Sequence, residues 1–180
     1  MKIIKTNIEG LLIIEPTIFE DSRGYFMESF SQKEFQKIVG KIDFVQENES
    51  KSKYGVVRGL HFQQGEYAQA KLVRVVIGSV LDVAVDIRVG SPTFGQHLAI
   101  ELSEDNKRQL FIPRGFAHGF SVLSEEAIFQ YKCDNYYNPQ SEGAILWNDP
   151  QLNIDWKIPQ ENILLSDKDK TNNLLSTLLT

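Results

Sequence analysis

The clearest strand in the sequence is Val80-Leu81-Asp82-Val83-Ala84-Val85-Asp86-Ile87-Arg88. Its odd-numbered positions form an apolar face, and its even-numbered positions from 82 to 88 form a mainly polar face. Similar runs flank this strand along the chain: Lys71 to Ile77, His97 to Leu102, Gln109 to Ile112, Phe116 to Leu123 and Ala127 to Cys133. Turn-forming residues separate these runs. The region from Ile42 to Trp156 therefore predicts an antiparallel sandwich or barrel.

Helical patterning is short and lies outside most of this β region. The segment from Ser31 to Val39 begins with a capping box formed by Ser31 and Glu34, and it ends before Gly40. A second short helix is expected near the C-terminus. The predicted fold class is mainly β, with one or two short helices.

The composition limits the classes of protein to which the chain can belong. The chain has 180 residues, of which 42% are apolar and 24% are charged, and it has no repeat or linker, so residues 1–180 are expected to form one domain. The net charge of −5, without long blocks of either sign, argues against a nucleic-acid partner. The single Cys133 excludes an intrachain disulfide and a cysteine-based zinc site. Since no secretory leader pattern and no membrane-length apolar run occur, we expect a cytoplasmic protein without a membrane partner.

Polar side chains cluster within the β-forming region. Residues 57–63 read VRGLHFQ, and Lys71 begins the next apolar run. A cation on a core strand loses hydration, so it needs an anion from the protein, such as Asp82 or Asp86, or from a ligand. Taken singly, each of these residues is more typical of a structural group than of a catalytic one. Closing the strands into a barrel would nevertheless bring four side chains to its mouth: His61, Lys71, His118 and Tyr131.

Arg58 and His61 pose a geometric problem, because they have opposite parity on a regular strand and should point to opposite faces. Two explanations are open. Either Gly59 marks a bulge that redirects one side chain, or Arg58 reaches the cleft of a neighbouring subunit.

The segment from Phe111 to Phe120 resembles the second signature of the cupin superfamily, a Pro-x-Gly-x-x-His turn that leads into a strand. The resemblance implies a jelly-roll fold. Many cupins bind a metal through a His-x-His pair, a Glu and a further His. Here Gln63 stands two positions after His61, and no Glu occupies the usual slot. His61 and His118 alone are too few for a conventional zinc site, so we expect no metal.

Five blocks of sequence, in order along nearly the whole chain, resemble the motif series of the dTDP-4-dehydrorhamnose 3,5-epimerases. They are DSRGYF (21–26), FVQEN (44–48), VRGLHFQ (57–63), PRGFAHGF (113–120) and LSDKD (165–169). The resemblance implies a cupin-type jelly roll and a homodimer. It also implies a reaction, without a cofactor, that inverts C3 and C5 of dTDP-4-dehydro-6-deoxy-D-glucose to give dTDP-4-dehydro-L-rhamnose in rhamnose biosynthesis.

The resemblance also implies roles at the reacting centre. Removing the hydrogen at C3 or C5, beside the C4 ketone, gives an enolate, so the reaction needs a base, an oxyanion partner and a proton donor on the opposite face. By resemblance His61 is the expected base, and Asp169, rather than Asp167, orients it. Lys71 is expected to stabilise the enolate oxygen, and Tyr131 is expected to donate the proton.

A second group of residues is expected, by resemblance, to contact the substrate. Arg23 and Arg58 suit the pyrophosphate, which calls for charge-assisted donors. The other expected substrate contacts are Glu28, Gln46, Asn48, Asp82, His118, Tyr137, Glu142 and Lys168. Among these, Tyr137 is expected to stack on the thymine. Glu47 would repel a pyrophosphate, so it is expected to turn outward.

Three other interpretations remain open at this point. An epimerase could invert only one carbon of a related nucleotide sugar, or a non-catalytic cupin could bind a sugar nucleotide through the same arginines. A metal-dependent cupin would rest on His61 and His118 alone. For the expected homodimer, the apolar run from Gly10 to Ile14 is a candidate for strand pairing across a two-fold axis.

Overall fold

The computed structural model describes residues 1–179; Thr180, the last residue of the expected domain, lies outside the described residues. The strands pair antiparallel in three sheets. The six-stranded sheet contains, in spatial order, β1 (Lys2–Lys5), β2 (Leu12–Glu15), β10 (Gln109–Ile112), β7 (Lys71–Ile77), β12 (Glu126–Cys133) and β5 (Gln46–Lys53). The five-stranded sheet contains β13 (Glu142–Ala144), β6 (Val57–Gln63), β11 (Phe116–Val122), β8 (Ser79–Asp86) and β9 (His97–Ser103). The third sheet is a separate hairpin of β3 (Ile18–Asp21) and β4 (Gly24–Met27).

The two larger sheets pack face to face around the main apolar core. Val73 and Phe129 come from the six-stranded sheet, and Ala84 and Phe120 come from the five-stranded sheet. The rings of Phe120 and Phe129 stack across the core with their centroids 4.4 Å apart. Two packed antiparallel sheets are the layers of a jelly roll, so the predicted mainly β fold class is confirmed.

Both faces of β8 are buried, including the face that is polar in sequence. Asp82 and Ala84 point toward the interior between the sheets, and both are fully buried. The other face of β8, which is apolar, packs against Trp156 and Leu175 of the C-terminal segment. Buried Asp149 fixes that segment, because its Oδ2 accepts the main-chain N–H of Leu175 at 2.6 Å. The C-terminal segment is thus held against the outside of the five-stranded sheet, from where it reaches the site.

The single α-helix among residues 1–179, α1 (Gln32–Val39), lies where it was predicted. The Ser31 hydroxyl caps it by accepting the N–H of Glu34 at 3.5 Å. The predicted capping box is only half formed, because the Glu34 carboxylate pairs with Lys37 at 2.8 Å. Phe35 anchors the helix to the outer face of the six-stranded sheet. No helix in this described range is long and apolar enough to cross a membrane.

Short 3₁₀ helices lie in the loops and in the C-terminal segment. They span Gly65–Tyr67, Pro139–Ser141, Gln160–Asn162 and Leu175–Leu179. The last of them stands where a second short helix was expected.

The run from Gly10 to Ile14 does not provide a free edge for pairing with another subunit. Its apolar residues enter β2, which pairs with β1 on one side and with β10 on the other. Both hydrogen-bonding edges of β2 are therefore occupied within the chain, and the expectation that this run pairs across a two-fold axis is wrong.

Strand β5 has no apolar face, so apolar periodicity does not predict it. Its residues alternate instead between uncharged and charged side chains from Gln46 to Lys53. The charged set faces outward: Glu47 pairs with Lys132 at 2.8 Å, and Lys51 pairs with Glu126 at 2.7 Å. The expected outward orientation of Glu47 is thereby confirmed. The uncharged set faces the space between the sheets.

Candidate active site

A histidine–aspartate pair joins β6 to the C-terminal segment. Nε2 of His61 lies 2.6 Å from Oδ1 of Asp169, which is 108 residues away in sequence. Burial acts to raise the pKa of Asp169, but the bond from His61 holds that pKa below its usual range. An ionised carboxylate only accepts hydrogen bonds, so Nε2 bears the hydrogen and Nδ1 of His61 keeps its lone pair. The alternative Asp167 is exposed and pairs with Lys170 at 2.7 Å.

Lys71 on β7 and Tyr131 on β12 belong to the six-stranded sheet, whereas His61 on β6 belongs to the five-stranded sheet. Nζ of Lys71 lies 5.8 Å from the centroid of the Tyr131 ring. Burial lowers the pKa of Lys71 and raises the pKa of Tyr131, because each group loses stabilisation of its charged form away from water. Asp82 bonds His118 and Glu142 bonds Lys168, and neither carboxylate forms an ion pair with Lys71. The ammonium of Lys71 is therefore available to a ligand.

A cavity of about 610 Å³ opens between the sheets and brings these groups together. Eight of the predicted site residues line it: Arg58, His61, Lys71, His118, Tyr131, Glu142, Lys168 and Asp169. Phe120 and Phe129 supply apolar wall beside the polar groups. A concave, mixed surface of this size fits a small organic molecule.

A bulge in β6 lets Arg58 and His61 face the same cavity. The register pairs Arg58 with Phe120 and His61 with His118, so three steps along β6 match two steps along β11. Gly59 lies within this irregularity at φ +142°, and a Cβ there would lie 2.6 Å from the backbone of β11. Only glycine fits that conformation and that close approach. Of the two explanations for the parity problem, the bulge is confirmed.

His118 and Asp82 form a second histidine–carboxylate pair, deeper in the interior. Nε2 of His118 lies 2.9 Å from Oδ2 of Asp82, and both residues are buried. Oδ1 of Asp82 has no hydrogen-bond partner among residues 1–179. Although His118 is paired with His61 in the strand register, each histidine bonds its own aspartate. The described residues contain no cluster of three or more side chains that could hold a metal ion.

An adjoining cavity of about 340 Å³ holds further predicted contacts. Gln46 donates from Nε2 to Oδ1 of Asn48 at 3.0 Å and accepts the N–H of Tyr137 at 3.1 Å. The Tyr137 hydroxyl donates to Glu142 at 2.8 Å, and Lys168 pairs with the same carboxylate at 2.6 Å. The ring of Tyr137 is left half exposed. Its face is thus accessible for stacking, next to the sugar-sized space around His61.

The family model described as dTDP-4-dehydrorhamnose 3,5-epimerase matches residues 5–177. The chain belongs to this family. A relative from Shigella flexneri with the same description is 59% identical over 170 residues, which are 94% of this chain and 93% of the relative. The crystal structure of dTDP-4-dehydrorhamnose 3,5-epimerase from Elizabethkingia anophelis NUHP1 superposes with a TM-score of 0.94 at 54% identity, covering 98% of this chain and 97% of that one. The crystal structure of a dTDP-6-deoxy-D-glucose-3,5-epimerase from Legionella pneumophila Philadelphia 1, in complex with dTDP-4-keto-L-rhamnose, superposes with a TM-score of 0.93 at 53% identity. The match covers 97% of this chain and 93% of that one.

Two residues that the resemblance to the 3,5-epimerases predicts for the site lie away from both cavities. Arg23 is at the tip of the β3–β4 hairpin, where it is exposed and pairs with Asp21 at 2.6 Å. Glu28 follows β4 and lines a different cavity, of about 500 Å³, on the outer side of the six-stranded sheet. Among residues 1–179 the strands of this hairpin pair only with each other, so no strand pairing brings Arg23 or Glu28 to His61.

Two serines that contact candidate site residues were not assigned from the sequence. Ser52 accepts a hydrogen bond from Nε of Arg58 at 3.1 Å and so positions the guanidinium. Ser166 contacts the carboxylate of Asp169 at 2.9 Å. Ser52 lies on β5, which apolar periodicity does not reveal. Ser166 lies within the LSDKD block together with Asp169, so the sequence could have indicated it.

Proposed function

We propose that the protein epimerises C3 and C5 of dTDP-4-dehydro-6-deoxy-D-glucose, giving dTDP-4-dehydro-L-rhamnose for rhamnose biosynthesis. Membership of an isomerase family supports this function. The observation that carries it is the division of the chemistry between two sheets. The His61–Asp169 pair belongs to one side of the cavity, and Lys71 and Tyr131 belong to the other. A sugar ring held between them presents opposite faces to a base and to an acid.

The base in this proposal is Nδ1 of His61. It removes the proton from C3 or C5 as the C–H electron pair moves into an enolate and the C4 carbonyl oxygen becomes negative. Asp169 stabilises the imidazolium that forms, because its ionised carboxylate accepts the Nε2–H. The proton then leaves His61 for solvent before the next turnover.

Lys71 and Tyr131 complete the inversion from the opposite side. The Lys71 ammonium stabilises the enolate oxygen in a partly dry cavity, where a fixed charge acts more strongly than in water. Tyr131 gives its hydroxyl proton to the carbon, on the face opposite to the one that lost hydrogen, and recovers a proton from solvent. Because burial raises the pKa of Tyr131, its phenol stays protonated and ready to donate.

Hydrogen exchange with solvent tests this function directly. Wild-type protein is incubated with dTDP-4-dehydro-6-deoxy-D-glucose in deuterium oxide, and the product is analysed by NMR. We expect deuterium at both C3 and C5 and inversion at both carbons. Saturable binding without exchange would favour a non-catalytic sugar-nucleotide-binding protein. A singly inverted sugar as the final species would favour a one-carbon epimerase.

Arg58 is proposed to bind the pyrophosphate. It lines the cavity, and Ser52 holds its Nε and thereby orients the guanidinium. We expect Arg58→Ala to raise KM about 10-fold with a smaller change in kcat, since a lost charge-assisted bond of about 1.5 kcal/mol corresponds to that factor. Steady-state kinetics measure both constants. Arg114→Ala is a matched control, because Arg114 pairs with Asp134 and does not line either cavity. A KM unchanged by Arg58→Ala would contradict the assignment.

We also propose that the protein is a homodimer in which the β3–β4 hairpin brings Arg23 to the partner's site. The hairpin exposes Phe19 at 62% and Phe26 at 70%, and apolar side chains this exposed favour burial in an interface. Sedimentation velocity at micromolar concentration should give a dimer, and Phe26→Asp should shift it to monomer. Wild-type protein that sediments as a monomer while fully active would rule out this arrangement.

A further inference from the structure

The turn that delivers Asp169 to the active site contains a serine that contacts this residue twice. The Oγ atom of Ser166 accepts the main-chain N–H of Asp169 at 3.2 Å. The same Oγ lies 2.9 Å from Oδ2 of Asp169. Because a carboxylate only accepts, the Ser166 hydroxyl donates its hydrogen to Oδ2. The main-chain carbonyl of Ser166 accepts the same N–H at 3.1 Å, so the backbone also closes the turn, and the distinct contribution of the side chain is its bond to the carboxylate.

The two oxygens of Asp169 then have separate partners. Oδ1 lies 2.6 Å from Nε2 of His61, with a longer contact of 3.4 Å from Nδ2 of Asn172. Oδ2 is bonded by Ser166. Asp169 is only 3% exposed, so water has little access to substitute for a lost donor.

Rotation of an aspartate carboxylate about its last side-chain bond is only weakly restricted by the residue itself. A bond on Oδ1 alone leaves the carboxylate free to tilt, and the ring of His61 tilts with it. Bonds on both oxygens fix the plane of the group. Ser166 supplies the second of these bonds, from the residue three positions earlier in the same turn.

We infer that Ser166 is a positioning residue, which fixes the Asp169 carboxylate so that Nδ1 of His61 points at the carbon to be deprotonated; its catalytic consequence rests on the proposed function. The hydroxyl acts through Asp169 and takes no part in bond making. Misplacing a catalytic group by about 1 Å can cost about 100-fold in rate, so a small tilt is enough to matter.

Substitution of Ser166 tests the inference through kcat and KM separately. We expect Ser166→Ala to lower kcat about 10-fold to 100-fold with KM nearly unchanged. Ser166→Thr keeps the hydroxyl and should restore most of kcat. Ser121→Ala is the matched control: the Ser121 hydroxyl donates to the carbonyl of Trp156 at 2.7 Å, so it holds the same C-terminal segment without contacting Asp169. It should lower the Tm and leave kcat near that of the wild type.

Two further measurements separate positioning from a general loss of structure. In the double variant Ser166→Ala/Asp169→Asn, the loss of kcat should not exceed that of Asp169→Asn alone, because both changes act through the contact between Asp169 and His61. Additive losses would overturn the inference, as would a Ser121→Ala protein that loses as much kcat as Ser166→Ala.

A readout independent of turnover distinguishes this inference from the proposed function. The proton shared by His61 and Asp169 should give a far-downfield resonance in the proton NMR spectrum of the wild type, and the signal should broaden or vanish in Ser166→Ala and return in Ser166→Thr. An unchanged signal in Ser166→Ala would overturn the positioning role even in a fully active enzyme. Loss of the signal in a protein without epimerase activity would instead retain the positioning role and reject the function.

Discussion

His61→Ala should lower kcat about 10²-fold to 10⁴-fold, the usual contribution of a positioned general base, and should abolish deuterium exchange at both C3 and C5. Both exchanges are lost together because the proposed mechanism uses a single base, His61, which lines the cavity with Asp169 on Nε2 and an open lone pair on Nδ1. Substrate affinity should change little, since Arg58 and the other residues proposed to bind the nucleotide, such as Gln46 and Tyr137, are unaltered. Rapid-quench kinetics and NMR-resolved exchange measure the two losses.

Two further variants sharpen this expectation. Asp169→Asn keeps the imidazole but replaces an acceptor-only group with an amide, so it should also cost a large part of kcat through loss of the required tautomer. His97→Ala is the matched histidine control, because His97 lies half-buried on β9 and lines neither cavity. A His61→Ala protein that still exchanged both hydrogens at the wild-type rate would contradict the mechanism in which His61 is the base.

Lys71→Met should lower kcat about 10²-fold to 10³-fold, the range found when one donor to a developing oxyanion is removed. Methionine preserves most of the buried volume and removes only the charge and its hydrogen bonds. Lys132→Met is the matched control: it lies on β12 in the same sheet and pairs with Glu47 on the outer face, so kcat should remain near that of the wild type. Lys71→Met with a wild-type kcat would exclude the oxyanion role.

The pH dependence of kcat/KM, which reports the ionisation of the free enzyme, gives a second test of Lys71. The group must be protonated to stabilise the enolate, so activity falls as pH rises through its pKa. Burial lowers the pKa of Lys71 and raises that of Tyr131, so the basic limb should reflect Lys71 and should lie below the usual titration range of an exposed lysine. In Lys71→Arg, the guanidinium stays charged, so this limb should move to higher pH even though kcat is reduced by the poorer fit. A basic limb that does not move would assign it to another group.

The strands that carry apolar side chains were predictable from the sequence because their pattern is local. The structure has β7 and β10 at the predicted bounds, Lys71–Ile77 and Gln109–Ile112. Alternation reports the burial of a strand face, and these strands pack inward against the core. Strand β5 (Gln46–Lys53) was missed because it lies at a sheet edge, faces a polar cavity on one side and presents charged residues on the other.

By itself, the sequence determined the candidate groups of the site: the imidazole of His61, the ammonium of Lys71, the phenol of Tyr131 and the choice of Asp169 over Asp167. These follow from residue types and from motif blocks that are contiguous in the chain. The resemblance also predicted that Asp169 orients His61, and the two groups do bond across 108 residues. Only the tertiary structure decided between the two explanations for Arg58, because it shows a bulge that turns this residue to the same side as His61.

The positions of Arg23 and Glu28 likewise came only from the tertiary structure. The resemblance predicts a role for both residues, but the hairpin that carries Arg23 and leads into Glu28 does not join either large sheet, so within residues 1–179 they lie apart from the cavity. The physical reason is common to all these cases. Side-chain alternation encodes which face a residue takes along its own strand, whereas the distance between groups far apart in the chain depends on strand register, bulges and the packing of segments against one another.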